Sequence, residues 1–84
     1  MMRDEAFEKV VGIIGPFAKN SEAMKNATAE TGILTDLGVN SARLIDIILA
    51  FEDEFGIAVE DEAADKIRTL GDAVDVILEK TATA

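Results

Sequence analysis

SARLIDIILAFEDEFG, Ser41 through Gly56, is the stretch on which the fold turns. Leu44, Ile47, Ile48, Phe51 and Phe55 recur at the spacing of a single helix face, so this stretch reads as an amphipathic helix. It runs from about Ser41 to Phe55, roughly 22 Å at about 1.5 Å per residue. Gly56 follows directly, as a helix-ending glycine does. Around the helix, Asp46 and Asp53 project opposite the apolar stripe. Ala42, Ile45 and Leu49 fall on one flank, outside it. That flank either packs against a neighbouring element or serves as a docking strip of small apolar anchors ringed by steering charge.

The segments on either side keep the helical period. Phe7, Val10, Val11 and Ile14 mark a first helix with Asp4 and Glu5 in its opening turn, where the dipole favours negative charge. It stops or kinks near Gly15, because Pro16 offers no backbone donor. From Asn20 to Asn40 the period fades into an ordered, irregular connection of about 20 residues, long for a compact domain. Met24, Ile33, Leu34 and Leu37 are its anchors, and a turn at Gly38 ends it. After Gly56 a short third helix is expected near Glu60 to Lys66, with Ala63 and Ile67 inward. Thr69 and Asp72 have the spacing of a capping box for a last helix burying Leu70, Ala73, Val74 and Ile77. That helix ends near Lys80, leaving 81–84 as a frayed tail. The expectation is an all-α fold. It is a small four-helix bundle with three longer helices, one short helix and a long first connection, in a single domain over residues 1–84.

Composition removes whole classes of chemistry. The 84 residues include no cysteine and no histidine, which excludes disulfides, Cys/His zinc sites and Ser-His or Cys-His nucleophilic pairs. Seventeen acidic residues against eight basic ones give a formal charge of −9. Nucleic acid and anionic membranes are therefore not expected partners, whereas basic protein surfaces are. The amino terminus has acids where a signal peptide has its apolar core, and no apolar run is long enough to span a bilayer. A cytoplasmic protein without membrane insertion is the expectation. The acids from Glu52 to Asp65 do not have the alternation and mid-loop glycine of a calcium loop, so no dedicated metal site is expected. Nor do carboxylates on solvated helix faces make a catalytic acid–base pair, and the chain is not read as an enzyme.

Ser41 stands out against this background. By spacing, either Asn40 or Ser41 is the N-cap of the central helix. A hydroxyl without a neighbouring base is no self-activated nucleophile, but another enzyme can modify it on an exposed turn.

DLGVNSARLIDIILAFEDEFGIAVEDEAADKI, Asp36 through Ile67, resembles the central half of an acyl carrier protein. Asp36, Leu37 and Gly38, then Ser41 after two residues, match the family pattern. So do Asp46, Glu52, Asp53, Glu54 and Phe55, and, in the short helix, Asp61, Glu62, Ala63, Lys66 and Ile67. The likeness is strongest from Thr35 to Leu70 and extends over the whole chain. It implies that Ser41, beside Asn40, carries phosphopantetheine transferred from coenzyme A by a phosphopantetheinyl transferase. Acyl groups then ride as thioesters on the arm's thiol, and acyl-loading and acyl-transfer enzymes with basic docking patches receive them. Ala42, Arg43, Asp46, Glu52, Asp53 and Asp61, with Ile45 and Leu49 from the outer flank, are the expected partner-binding residues. Leu44, Ile48, Phe51, Val59 and Ile67 are the expected acyl pocket. A monomer is expected.

Three residues depart from the family pattern. Asn40 replaces an aspartate, Ala42 a leucine that inserts into partner pockets, and Arg43 an acid; the connection before the central helix is also unusual. A specialised lipid or secondary pathway, rather than general fatty acid synthesis, is the reading these departures suggest. The rival is an unmodified acidic adaptor that only binds basic partner surfaces.

Overall fold

A computed structural model describes residues 2–82. Helix α1 (Arg3–Ile14) buries Ala6, Val10 and Ile14, one residue per turn along a single face. Phe7 and Val11 pack partly against the same core. The helix ends where Pro16 demanded: Gly15–Phe17 tighten into a 3₁₀ turn, and the Ala18 N–H donates to Ile14 O at 3.2 Å. Helix α3 (Leu44–Phe55) is the central helix. It buries Ile47 and Phe51 and ends at Gly56, which takes φ 63°. The Gly56 and Ile57 N–H groups both donate to the Glu52 carbonyl, so the last turn closes on itself. Helix α5 (Leu70–Ala82) contributes the largest share of the core, including Leu70, Val74 and Ile77. Its capping box forms as expected: Asp72 N–H to Thr69 Oγ1, and Thr69 N–H to Asp72 Oδ2, both 3.1 Å.

Several boundaries differ from the sequence reading. The first connection is not irregular throughout, because α2 (Ser21–Lys25) forms one and a half turns within it. Asn20 starts it, its side chain accepting the Ala23 N–H at 3.1 Å. The described residues thus hold five α-helices, three of them long. Ser41–Arg43 form a 3₁₀ turn, so the α-helix proper begins at Leu44 rather than Ser41. The short helix α4 spans only Asp61–Ala64. Helix α5 passes Lys80 and runs through Ala82, with the Thr81 hydroxyl donating to Ile77 O at 2.8 Å. Of the expected tail, Thr81 and Ala82 are therefore helical, and Thr83 and Ala84 lie outside the described residues. Leu34, expected as an anchor, is 41% exposed, whereas Val39 is buried.

The connection between α2 and α3 is strapped down on both sides. Its Ile33 N–H donates to Arg68 O at 2.9 Å, and its Thr31 carbonyl accepts the Leu70 N–H at 3.0 Å, pairing Gly32 with Thr69. On the other side the Leu37 carbonyl accepts the N–H groups of Lys19 and Asn20 at 2.9 and 3.0 Å. Ile33, Leu37 and Val39 fill the core between these ties. Long as it is, this connection is a part of the packed body.

Candidate functional site

Ser41 is held by a sequence of short-range devices. The Asp36 carboxylate accepts the Gly32 N–H at 2.7 Å and folds the connection into a tight loop. Leu37 is fully buried beside it. Gly38 takes φ 70°, a conformation open to glycine without strain, and reverses the chain. A Cβ there would also meet Lys19 Cβ at 3.4 Å. Asn40 is then extended, and its side chain accepts the Ala42 N–H at 2.9 Å. The cap that sequence spacing left open between Asn40 and Ser41 thus falls to Asn40. This frees the Ser41 hydroxyl from capping and leaves it exposed on the turn. Asn40 thus takes the Ala42 N–H with its side chain and the Arg43 N–H with its carbonyl, so both of these backbone donors at the turn are already used.

Beside Ser41 opens a cleft of about 610 Å³ between α3 and the segment carrying α4. Leu44, Ile45, Ile48 and Leu49 form one wall, and Val59 and Ala64 face them. Glu52, Asp61 and Asp65 supply the acids around it. Ile45 and Leu49 are 66% and 56% exposed, so they do not pack into the bundle; they form the outer lip of this cleft. Of the five residues expected to shelter an acyl chain, Leu44, Ile48 and Val59 line it. Phe51 and Ile67 do not: both are buried in the core cluster. Ala64 and Asp65, which the sequence reading missed, complete the wall; the signal was a small residue one turn after Asp61.

The expected partner-binding residues fall into distinct settings. Ala42, Arg43, Asp53 and Asp61 are exposed, and Asp46 is half-buried. Arg43 is paired with Asp46 at 3.1 Å on the surface, a contact worth about 1 kcal/mol or less. Glu52 is different: it is half-buried, and its carboxylate accepts the Val59 N–H at 2.9 Å. On the far side of α4, Lys80 holds Glu60 at 2.7 Å. That hydrogen bond and its charge keep the Glu60 carboxyl below its ordinary range and the Lys80 ammonium above its own. Among the described residues no three acids converge as a metal site, and no helix is long and apolar enough to cross a membrane.

The arrangement is therefore an exposed hydroxyl on a braced turn at the mouth of an apolar cleft with an acidic rim. Among the described residues no carboxylate is hydrogen bonded to that hydroxyl.

Comparison with known proteins agrees with this geometry. Residues 9–77 match the phosphopantetheine attachment site family. The acyl carrier protein of Petrotoga mobilis is 40% identical over 80 residues, covering 95% of this chain and 92% of that protein. That of Thermotoga maritima is 40% identical over 78 residues, covering 93% and 94%. A solved structure of the acyl carrier protein from Enterococcus faecalis superposes with a TM-score of 0.78 at 36% identity, over 95% of this chain and 99% of that one. The chain belongs to the acyl carrier proteins, which are carriers rather than catalysts, work with a phosphopantetheinyl transferase and acyl-handling enzymes, and bear a covalently attached phosphopantetheine.

Proposed function

We propose that Ser41 is the attachment point and that the α3–α4 cleft shelters the acyl cargo. One observation carries this reading: the exposed Ser41 hydroxyl stands at the mouth of the apolar cleft lined by Leu44, Ile48 and Val59. In the loading reaction the diphosphate bond of coenzyme A breaks, Ser41 Oγ bonds to the pantetheine-side phosphorus and loses its proton, and the adenosine bisphosphate leaves. The prosthetic group supplies a terminal thiol for thioester chemistry that a cysteine-free chain lacks. The protein's own residues do the rest. Asn40 and Gly38 fix the turn, Leu44 and Ile48 offer apolar surface, and Asp46, Asp53 and Asp61 attract basic docking patches. Ile45 and Leu49 are the apolar anchors among them. We take the carrier to act as a cytoplasmic monomer, its core closed within one chain.

The test is mass spectrometry after incubation with coenzyme A, magnesium and a transferase. The chain gains one phosphopantetheine and Ser41→Ala gains none; a gain that survives in Ser41→Ala overturns the assignment.

We further propose a specialised pathway. Asn40, Ala42 and Arg43 all lie exposed beside Ser41, where a partner must close over the arm. Ala42 offers a partner pocket almost nothing, where burial of a leucine contributes about 1.5–3 kcal/mol. Arg43 puts a positive charge where basic docking patches approach. Combined Ala42→Leu and Arg43→Asp should raise turnover by general fatty acid elongation enzymes at least tenfold. Efficient turnover of the unaltered chain by those enzymes would sink this reading.

A further inference from the structure

Residues 57–67 form a flap with a fixed support at each end. At one end Gly56 takes φ 63°, with open space where a Cβ would sit. At the other, the Arg68 and Thr69 N–H groups donate to Asp72, and the Arg68 carbonyl is taken by Ile33. Between these supports α4 buries none of its residues. Apolar contact through Ile57, Val59, Ala63 and Ile67 holds the flap to the core. Two side-chain contacts add to it: Lys80 to Glu60 from α5, and Glu52 to the Val59 N–H from α3.

The Glu52 contact is unlike the other. Helix α3 is already closed by the Glu52 carbonyl, which accepts both the Gly56 and Ile57 N–H groups. The carboxylate reaches past that closure to a residue seven positions on, so it is not needed to end the helix. Glu52 also lines the cleft, one turn beyond Ile48 and Leu49. A half-buried charge beside apolar walls is costly unless it is hydrogen bonded, and the Val59 N–H is the partner that meets this need. The cleft is already open along Leu44 and Ile48, and an apolar chain that seats deeper, between Val59 and α3, displaces Val59 from Glu52. That movement breaks the bond and returns Glu52 to water.

We infer that Glu52 is the latch of the cleft: by holding the Val59 N–H it sets how readily the flap opens to an apolar acyl chain. The inference rests on the carrier reading for the nature of the cargo, but the latch itself is measurable on the unmodified chain. Glu52 is thus a positioning residue, acting through Val59.

Amide hydrogen exchange followed by NMR tests it. In unmodified Glu52→Ala, the Val59 amide should exchange about ten- to a hundredfold faster than in the parent, the loss of one charge-assisted hydrogen bond. Glu52→Gln, which keeps an acceptor oxygen, should restore most of the protection. Val10 in α1 should stay as protected as before. Equal Val59 rates in parent and Glu52→Ala overturn the latch, and so does a loss of protection shared by Val10. The cargo step is read with an octanoyl group on the arm. The parent's Val59 amide should then exchange faster than with a bare thiol, and Glu52→Ala should show no further rise. Octanoyl contacts to the Leu44 and Ile48 methyls without any change at Val59 refute the gating role. Failure of the carrier reading shows separately, as no mass gain at Ser41. Free octanoyl-pantetheine then replaces the loaded arm, and the same outcomes decide the question.

Discussion

Single residues in this chain are decided by what surrounds their backbone. Gly12 and Gly71 both lie within helices, where alanine is ordinarily the better helix former by about 1 kcal/mol. A Cβ at Gly12 meets nothing within 4 Å, whereas one at Gly71 would lie 2.8 Å from the Ala29 carbonyl oxygen and 3.1 Å from Ala29 Cβ. That carbonyl is also the acceptor for the Gly71 N–H, at 2.9 Å. Gly12→Ala should therefore stabilise by about 0.5–1 kcal/mol, and Gly71→Ala should destabilise by roughly 1–3 kcal/mol. Urea titration of both variants checks the opposite signs. Nothing in the sequence separates these two glycines, because the difference lies in Ala29, 42 positions away from Gly71 in the chain. Phe51 shows the same limit: its apolar character said "inside", but only the packing told core from cleft.

At the level of elements, the long helices were legible because each repeats its apolar residues over several turns. Helix α2 was not. Its five residues, SEAMK, are too few to display a period. Asn20 was the available sign of its start, and in sequence it read as loop composition. The cleft was half legible: Ile45 and Leu49 stood out from the stripe, but their facing wall depends on where α4 comes to rest. The capping box of α5 was fully legible, since it needs only two residues at fixed spacing. Its chemistry gives a pH dependence. Burial alone would push the Asp72 carboxyl up, but hydrogen bonds from the Thr69 and Arg68 amides, with the Arg68 charge, outweigh it and hold the carboxyl below its ordinary value. Around and below pH about 4, the unfolded chain therefore takes up this proton first. The contribution is complete above that range and is lost as pH falls through the folded value. Asp72→Ala should lower stability by about 1 kcal/mol at neutral pH. It should also make the acid limb of the stability curve shallower, which thermal melts between pH about 2 and 7 would show.

The whole molecule is governed by its charge. A net −9 is spread over a body with a radius of gyration of 11.6 Å, comparable to the screening distance of about 8 Å at physiological salt. The described ion pairs, Arg3–Asp75, Lys9–Glu54, Arg43–Asp46 and Lys80–Glu60, involve half of the eight basic residues. Self-repulsion therefore opposes folding, and any ion that gathers near the acids relieves it. Millimolar magnesium or calcium should raise Tm by several degrees at low ionic strength, where about 1 kcal/mol shifts a domain of this size by about 4–8 °C. An unchanged melt would show that repulsion is negligible here. One further property follows from the Leu37 carbonyl, which ties the turn before Ser41 to Lys19 and Asn20. Ser41 therefore sits between two anchorages: backward through Gly38 to Lys19 and Asn20, and forward through the 3₁₀ turn, where the Arg43 N–H donates to the Asn40 carbonyl, into α3. Any pull on that hydroxyl is shared between a backward stay and the helix that walls the cleft, so slackening the stay shifts the whole load onto the wall.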